Sequence, residues 1–427
     1  MQVLLIFIGS LLGLTIVGLP IGFVIGVTSI IVMYIIGLPE PMILARSLIT
    51  GIVIYTLLAI PLFMLAGEIM AQGGLSTRIV NAANLAVGKV RGGLGYAAIL
   101  ASIVFSGLSG SAVADAAALG GILIPMMKAA GYKLDRSCAL ICASAVIAPI
   151  IPPSIPMIVL GTATNLSVTR LFMSGLIPGI ILGLALMIMW FFIVRKDGYN
   201  DTMTFTKEER TAILKDSMPA LFMPILIVGG IRLGFFTPTE AGAFAVVYAL
   251  VICKFVYKEL DLSMFGDIFS SAAKSTATVM LIVAAANAVG FYITMAQVPA
   301  QMANALSPFI DKPMLLLLII NLFLFILGMV MDLTPNLLIF APVLFPVIQQ
   351  AGIDPYFFAL IMCFNLCIGL ITPPVGTVLY VGCGVAKLDI VRLSRAIIPF
   401  LIVELVVLLL CTFFPSLVMV PLEIIMG

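Results

Sequence analysis

The chain alternates long apolar runs with short polar connections, and this pattern predicts membrane-spanning helices. Runs near the length that crosses a bilayer as a helix, about 20 residues, recur from end to end. They cover residues 47–71, 94–108, 175–194, 218–234, 237–257, 275–298, 313–330 and 396–415. Residues 3–36 are also apolar and do not resemble a cleaved signal peptide, so they predict one long broken span or two short ones. The pattern predicts an all-α polytopic membrane protein.

Two of the apolar regions contain prolines that a continuous helix does not accommodate. The segment "IAPIIPPSIP" (Ile147 to Pro156) has four prolines in ten residues, and "GLITPPVGT" (Gly369 to Thr377) has another pair. Each proline removes a backbone donor and leaves the carbonyl four residues earlier without its helical partner. In lipid, such a group is tolerated only where protein or a wet cavity surrounds it. We therefore predict two broken helices, about 138–165 and 356–385; prolines that serve only as kinks are the alternative.

The unusual residues of the first half recur in the second half at a constant separation of 221 residues. The matched positions are Gly107 and Gly328, Pro125 and Pro346, Cys142 and Cys363, Pro152-Pro153 and Pro373-Pro374, and Gly161 and Gly382. Paired glycines and prolines in constant register indicate an internal repeat. We predict a first repeat in residues 1–194 and a second in 217–427. A cytoplasmic linker, 195–216, joins them.

Basic residues in the connecting loops predict that the two repeats are inverted. The loop "KAAGYKLDR" has three basic residues, whereas its counterpart "QQAGIDPYF" has none. After the next span the difference reverses, because "TNLSVTR" has only Arg170 and its counterpart has Lys387, Arg392 and Arg395. Cytoplasmic loops are enriched in lysine and arginine, so equivalent loops lie on opposite sides of the membrane.

The same rule predicts a re-entrant helical hairpin in each repeat. Basic residues precede and follow the segment 94–127, so it enters and leaves the membrane on the cytoplasmic side. Its tip lies near "SGLSGS" (Ser106 to Ser111), where small residues allow a tight turn. The mate, 313–346, has its tip near "GMVMDLTPN" (Gly328 to Asn336). An ordinary small-residue contact between helices is the alternative for the first tip.

Composition excludes several classes of function. Of 427 residues, 63% are hydrophobic and 9% are charged, with a net charge of +2 that favours no nucleic-acid partner. The chain has no histidine and no GxxxxGK loop, which excludes His-based triads and an ATP-driven motor in this chain. A channel, an intramembrane enzyme with a Ser–Lys dyad and a structural anchor remain as rivals to a transporter. Paired inverted hairpins favour alternating access.

The broken helices and hairpin tips contain oxygen atoms that could bind a cation. Pro152 and Pro153 leave the carbonyls of Ala148 and Pro149 without helical donors, and the second proline pair does the same for Gly369 and Leu370. Such carbonyls suit a hard cation such as sodium. Nearby hydroxyls that could add oxygen ligands are Ser106, Ser109 and Thr372. The half-helices that start after the prolines present partial positive charge to an anionic substrate.

Few acidic residues lie within the apolar segments. Asp115 and Asp332 lie beside the two tips, so we assign them a functional role; capping of the hairpin is the alternative. Glu68 lies in a less informative context and is not assigned a role. The segment "STRIVNAANLAVGKV" (Ser76 to Val90) has apolar residues at helical spacing and predicts an interfacial helix.

Several motifs together resemble the large membrane subunit of TRAP transporters, the tripartite ATP-independent periplasmic systems. They are "IPLFMLAGEIMAQGGLSTRIV", "GLSGSAVADAAALGGILIPMM", "APIIPPSIP", "FFTPTEAGA", "GMVMDLTP" and "GLITPPVG". The resemblance spans essentially the whole chain. It implies an elevator-type secondary transporter in a bacterial inner membrane, driven by co-transported Na⁺ without an organic cofactor. It also implies two partners, a separate small membrane subunit of four helices and a periplasmic substrate-binding protein.

The resemblance also implies two sodium sites and a substrate site. The first sodium site is formed by Ser106, Ser109, Ala148, Ile151 and Pro153, and the second by Gly328, Gly369, Thr372 and Val375. The implied substrate residues are Ser109, Ser111, Ser154, Asp332 and Asn336. The sequence is most similar to subunits for sialic acid or other sugar acids, and Asp332 is expected to repel a second anionic group. A C4-dicarboxylate or another carboxylate is the alternative substrate.

Overall fold

The computed structural model describes residues 2–199, 202 and 204–426, and these residues form helices and their connections without strands. The first half contains α1 (Gln2–Ile16), α2 (Ile21–Ile35), α3 (Pro41–Ile52), α4 (Ala59–Gln72), α5 (Leu75–Val87), α6 (Gly93–Ser109), α7 (Ala112–Ala129), α8 (Leu134–Ala145), α9 (Ile155–Thr164) and α10 (Val168–Asp197). The second half contains α11 (Lys207–Arg232), α12 (Pro238–Val251), α13 (Phe265–Met295), α14 (Val298–Ile310), α15 (Pro313–Gly328), α16 (Leu333–Gln350), α17 (Pro355–Gly369), α18 (Thr377–Ala386), α19 (Ile390–Phe413) and α20 (Ser416–Met426).

Eight helical stretches of the described residues are long and apolar enough to cross a membrane. They are Tyr55–Gln72, Ala112–Ala129, Val168–Asp197, Lys207–Arg232, Pro238–Val256, Leu262–Met295, Leu333–Gln350 and Ile390–Phe413. The apolar N-terminal region forms two short helices, α1 and α2, of 15 residues each. Each is about 22 Å long, because an α-helix rises 1.5 Å per residue. Of the two alternatives for residues 3–36, the structure therefore shows the pair of short helices.

The order of helices in the first half recurs in the second. The helices α15 to α19 of the second half correspond, one by one and with nearly the same spacing, to α6 to α10 of the first half. Packing is also reciprocal, because α7 lies against α18 and α16 lies against α9. The second helix of each hairpin thus contacts the broken helix of the other half. The division into repeats of inverted topology remains a prediction, and Met1, Asn200, Asp201, Met203 and Gly427, which belong to its predicted ranges, lie outside the described residues.

The helix α5 is joined to the start of the second half by a polar cluster around Arg78. Its guanidinium lies 3.1 Å from the Asp216 carboxylate and 2.8 Å from the Glu259 carboxylate, over the Tyr257 ring. The Tyr257 hydroxyl donates to the Asp216 carbonyl at 2.9 Å. Burial raises the pKa of Tyr257 to about 12, so this hydroxyl stays a neutral donor. The cluster fixes α5 to α11, and α5 also packs against α6.

Candidate functional site

The first hairpin and the first broken helix meet at their non-helical backbone. We call residues 106–111 the first tip and residues 146–154, between α8 and α9, the first break. Gly110 has a left-handed φ of 61°, which favours glycine, and a Cβ there would lie 2.5 Å from the Pro153 carbonyl oxygen. A Cβ at Gly107 would lie 3.7 Å from the Pro152 oxygen. Glycine in the first tip therefore lets two polar backbone segments touch.

Hydroxyl groups of the first tip lie among buried partners. Ser109 donates to the carboxylate of Asp115, whose second oxygen has no hydrogen-bond partner in the described structure. Asp115 is fully buried, in the first turn of α7. Ser106 donates to the Ile103 carbonyl at 2.6 Å. Both predicted sodium-site serines therefore lie at the first tip, and Asp115 pairs within its own hairpin.

Of the two carbonyls predicted to be free at the first break, one accepts a hydrogen bond. The Pro149 carbonyl accepts a hydrogen bond from the Ser154 hydroxyl, so the expectation of a free group there is wrong. In the described part of the chain, the Ala148 carbonyl accepts none. Ala148, Ile151 and Pro153 are all buried in the break. Ala148 thus keeps the unpaired carbonyl that the proline rule predicts.

The second hairpin and broken helix make the corresponding contact with different residues. We call residues 328–336 the second tip and residues 370–376, between α17 and α18, the second break. A Cβ on Gly369 would lie 2.6 Å from both the Cα and the carbonyl oxygen of Gly328, so the two glycines touch backbone to backbone. The Val375 N–H donates to the Met329 carbonyl at 3.4 Å. The structure thus brings Gly328, Gly369 and Val375 to one contact.

Carbonyls near the second break find donors more often than the sequence predicts. The Leu370 carbonyl accepts from the Val378 N–H at 3.0 Å, and the Gly369 carbonyl accepts from the Thr372 N–H at 3.1 Å. The expectation that both are free is therefore wrong. The Thr372 hydroxyl donates to the Ile368 carbonyl at 2.7 Å. A carbonyl oxygen has two lone pairs, so each can still accept a further partner.

Two predicted substrate residues stabilise the second tip. Asp332 is half-buried and accepts a hydrogen bond from the Thr377 hydroxyl of α18 at 3.2 Å. Asn336 is fully buried, and its amide donates to the Met331 carbonyl at 3.1 Å. Its side-chain oxygen has no hydrogen-bond partner in the described structure. Asp332 therefore joins the second tip to the second half-helix, and Asn336 holds the turn.

A cavity of about 500 Å³ lies beside the first tip, between it and the helices α4 and α13. Ser109 and Ser111 line it from the tip, and Glu68 and Ser275 line it from α4 and α13. Its other wall residues are Phe63, Met64, Gly67, Ala71, Phe105, Val113, Ala114, Ala117, Ala118 and Ile155. Among the described residues, the wall contains no lysine or arginine. Volume and apolar lining are typical of small-molecule sites.

The cavity brings together only part of the predicted substrate set. Ser154 precedes the wall residue Ile155 but is itself fully buried, and Asp332 and Asn336 lie in the second tip, outside the cavity wall. Sequence reasoning missed Glu68, which accepts a hydrogen bond from the Ser271 hydroxyl at 2.7 Å. The signal was available, because an acidic residue within an apolar helix indicates function.

The first turn of α7 lines this cavity, and α9 reaches it through its first residue, Ile155. The helix α7 begins after Ser111 and α9 begins after Ser154, and each serine caps its helix by accepting a backbone N–H. Unpaired N–H groups of a first turn carry partial positive charge. The arrangement suits a carboxylate, which two helix starts can bind without a basic side chain.

A second cavity, of about 420 Å³, lies at the other end of α9. Its polar lining comes from Ser47, Thr50, Thr162, Asn287 and Thr294. The first cavity meets α9 at Ile155 and the second meets it at Thr162, about 10 Å apart along the helix. Both cavities are also bounded by α13. The helix pair α9 and α13 therefore connects two polar-lined spaces.

Comparison with known proteins identifies the family. The family model described as "Tripartite ATP-independent periplasmic transporter, DctM component" matches residues 8–417. The chain belongs to this TRAP transporter family. TRAP permeases of this kind are transporter components rather than enzymes, and the chain is a multi-pass protein of a bacterial inner membrane. The resemblance seen in the motifs is confirmed.

TRAP relatives with named substrates are similar over most of the chain. The large permease for 2,3-diketo-L-gulonate of Escherichia coli K12 is 43% identical over 98% of this chain and 99% of its own length. The large permease for sialic acid of Vibrio cholerae is 38% identical over 97% of both chains. The large permease for C4-dicarboxylates of Pseudomonas aeruginosa is 38% identical over 85% of both. The chain is therefore a TRAP large permease for an organic acid.

The fold is shared with a solved transporter. The crystal structure of the Alcanivorax borkumensis YdaH transporter matches 89% of this chain and 88% of its own, with a TM-score of 0.66 and 14% identity. At this identity the likeness concerns the fold alone. The prediction of an all-α polytopic membrane protein is confirmed by the helices and by this match.

Proposed function

We propose that this chain is the large membrane subunit of a sodium-driven TRAP transporter that imports a hydroxylated monocarboxylate, sialic acid or a related sugar acid. Its partners are a separate small membrane subunit of four helices and a periplasmic protein that delivers the substrate. The wall of the first cavity supports this substrate class, because its described residues combine two helix N-termini and one glutamate without a basic residue.

The helix starts and Glu68 suit different parts of such a substrate. The N–H groups in the first turn of α7 and the Ile155 N–H at the start of α9 bind the carboxylate. Glu68 accepts hydrogen bonds from substrate hydroxyls, as it already does from Ser271. A second carboxylate on the substrate would face Glu68 in a space lined by no cation, which is unfavourable. The wall therefore favours a polyhydroxylated monoanion over a dicarboxylate.

Sodium is proposed to bind where each tip meets its break. At the first contact, the oxygen donors are Ser106, Ser109 and the carbonyls of Ala148, Ile151 and Pro153. At the second, they are Thr372 and the carbonyls of Gly328, Gly369 and Val375. Carbonyl and hydroxyl oxygens are the ligands that hard cations prefer. The close backbone approach at Gly110 and at the Gly328–Gly369 pair supports this assignment, because it gathers carbonyls that a helix would separate.

An elevator movement of inverted repeats is the proposed transport step. The two cavities lie at opposite ends of α9 and along α13, where Ser275 and Asn287 are about 18 Å apart. Sliding of the hairpins and broken helices along α13 by a comparable distance would carry a bound substrate from one space to the other. The reciprocal packing of α7 with α18 and of α16 with α9 supports a two-fold relation within the moving unit.

Uptake into liposomes tests the proposal. The chain is reconstituted with its small subunit, the binding protein is added outside, and uptake of labelled sialic acid and of a labelled C4-dicarboxylate is measured with and without an inward sodium gradient. We expect sialic acid uptake that requires both sodium and the binding protein. Preferred uptake of the dicarboxylate would overturn the substrate class alone. Flux without sodium or the binding protein would overturn the mechanism.

A further inference from the structure

A cleft of about 550 Å³ lies between the start of α6 and the end of α10, at the opposite end of α6 from the first tip. Its wall contains Arg91, Tyr96, Phe191, Arg195 and Tyr199, with Val90, Val194 and Gly198. Arg91 and Arg195 are both exposed. The cleft therefore combines two accessible guanidinium groups with aromatic side chains.

The backbone around the cleft is fixed by close contacts. The Trp190 indole donates to the Gly92 carbonyl at 3.0 Å, and Gly95 packs directly on its ring, where a Cβ would lie 2.0 Å away. Gly92 has a left-handed φ of 73° and abuts Val194. These contacts hold Arg91 and Arg195, the neighbours of Gly92 and Val194, on the two walls. The spacing of the two backbone positions that carry the arginines is thus set in advance of binding.

Both arginines are available to an anion. In the described part of the chain, neither forms an ion pair, whereas Lys133 and Arg136 nearby pair with Asp197. Arg195 lies over the Phe191 ring, with its guanidinium carbon 4.2 Å from the ring centroid. Such stacking orients the planar guanidinium and leaves its edge free for hydrogen bonds to an oxyanion.

An apolar ridge leads away from the cleft along α10. Leu184, Ile188 and Phe191 are exposed, at helical spacing on the face that ends at Arg195. From Leu184 to Arg195 the ridge is about 16 Å long, comparable to the hydrocarbon half of a bilayer. A positive cleft at one end of an exposed apolar ridge matches the two parts of a phospholipid.

We propose that this cleft binds the headgroup of an anionic phospholipid, with its phosphate between Arg91 and Arg195 and its acyl chains along the ridge. Basic loops place this end of α10 at the cytoplasmic surface, where anionic lipids attract arginine. The inference needs the membrane placement of the chain but not its sodium coupling or its substrate. Lipid binding and transport can therefore fail independently.

Native mass spectrometry of the intact transporter with its small subunit tests the site. Retention of phosphatidylglycerol and of phosphatidylcholine is measured for the wild type, Arg91→Ala, Arg195→Ala and the double variant. The matched control is Lys196→Ala, which removes the same charge one residue from the cleft. Each arginine variant is expected to lose about fivefold in phosphatidylglycerol affinity, because it removes a charge-assisted contact with the phosphate that Lys196, outside the cleft wall, does not make. The double variant should lose about thirtyfold.

The lipid specificity and the control decide the outcome. We expect phosphatidylcholine to bind weakly to every variant, and Lys196→Ala to retain phosphatidylglycerol like the wild type. Inorganic phosphate is added in a parallel series and should not displace the lipid. The proposal is overturned if the double variant keeps wild-type affinity, if Lys196→Ala loses as much, if both lipids bind equally, or if phosphate displaces the lipid. Because both arginines are exposed, unchanged thermal unfolding is expected for all variants.

Discussion

The two contacts between a hairpin tip and a broken helix share a backbone arrangement but differ in the side chains that stabilise them. At the first contact, Ser109 and Asp115 pair within one hairpin, and every residue of the break is buried. At the second, Asp332 bonds to Thr377 on the other side of the contact, and Pro374 is exposed. The polar pair of the first contact therefore lies within one hairpin beside a buried break. The polar pair of the second contact joins the tip to the half-helix beside an exposed residue of the break.

This difference separates the roles of the two contacts. Each brings carbonyls together through glycine, at Gly110 in the first and at Gly328 and Gly369 in the second. The polar group beside the first contact also borders the cavity of about 500 Å³, through Ser109. The second contact has no member in that wall. Substrate is therefore expected to influence the first contact more directly, whereas the second depends mainly on the fit of tip and break.

Substitution of Gly369 by alanine should have the largest effect. Its Cβ would lie 2.6 Å from two backbone atoms of Gly328, and neither can yield as a flexible side chain can. Overpacking costs about 1–3 kcal/mol and occasionally more, so uptake under a sodium gradient should fall about 5- to 150-fold or more, with a higher sodium concentration needed for half-maximal rate. Uptake at graded sodium concentrations in reconstituted liposomes measures this.

The matched control for Gly369→Ala is Gly384→Ala on α18, where nothing lies within 4 Å of the added Cβ. It should transport normally, because alanine is favoured over glycine in a helix. Normal sodium dependence of Gly369→Ala would show that the glycine contact has no role in the cation step.

Removing the hydroxyl that donates to the carboxylate beside each tip should have unequal effects. Ser109→Ala leaves the buried Asp115 carboxylate without a described partner, which costs about 1–3 kcal/mol, so uptake should fall about 5- to 150-fold. Thr377→Val removes one hydrogen bond from Asp332, but this carboxylate is only half-buried and can bind water instead. One hydrogen bond contributes about 1 kcal/mol, so uptake should fall about fivefold or less.

Double-mutant cycles separate these pairs from other roles of the serine. Asp115→Asn should add little to Ser109→Ala, and Asp332→Asn should add little to Thr377→Val, because each second change removes a pair already lost. Full additivity in uptake and in thermal unfolding would contradict the pairing. Equal losses for Ser109→Ala and Thr377→Val would remove the asymmetry between the two contacts.

The sequence was most informative where backbone rules apply. Proline and glycine positions placed both breaks and both tips, because a missing N–H and a tight turn have local consequences. The helices α6 and α15 end at Ser109 and Gly328, within the segments expected to turn. The helical membrane architecture and the family followed from such local signals.

Other features depend on contacts that local rules do not contain. The proline rule counts a lost donor, but Ser154, the last residue of the first break, supplies a donor to the Pro149 carbonyl, and Val378 of α18 supplies one to the Leu370 carbonyl. The partner of Glu68 is Ser271, which is 203 residues away in sequence. Such pairings arise only when the helices pack, so neither the satisfied carbonyls nor the cavity wall could be predicted.

The cavity beside the first contact predicts a role for Glu68 in selectivity. Glu68→Gln keeps the size and one acceptor but removes the charge, so the KM for a sugar acid should rise about fivefold from a weakened hydrogen bond near 1 kcal/mol. Competition by a C4-dicarboxylate should strengthen, because a repulsive charge is gone. Competition uptake assays measure both, and Glu240→Gln, at a helix start outside the cavity, is the control. Unchanged competition would argue that Glu68 does not face the substrate.

The smallest expected effects concern the side-chain hydrogen bonds that join the first helix of each hairpin to the first half of the neighbouring broken helix. Asn365 donates to the carbonyl and side-chain oxygens of Asn321 at 2.9 and 2.8 Å, whereas Ser102 and Ser144 share one bond of 2.9 Å. Hydrogen bonds between membrane helices contribute about 0.6 kcal/mol on average and up to about 1.7 kcal/mol, so Asn365→Ala should destabilise more than Ser144→Ala.

Thermal unfolding of the purified complex measures both truncations against Ser174→Ala, which removes a buried hydroxyl bonded within its own helix. Asn365→Ala should lower the unfolding temperature most and Ser174→Ala least. Equal shifts for Asn365→Ala and Ser144→Ala would mean that the extra bond of the second half is not stabilising. The second contact would then depend on its glycine fit and on the hydrogen bond from Thr377 to Asp332, and Gly369→Ala would be the decisive variant for that half of the molecule.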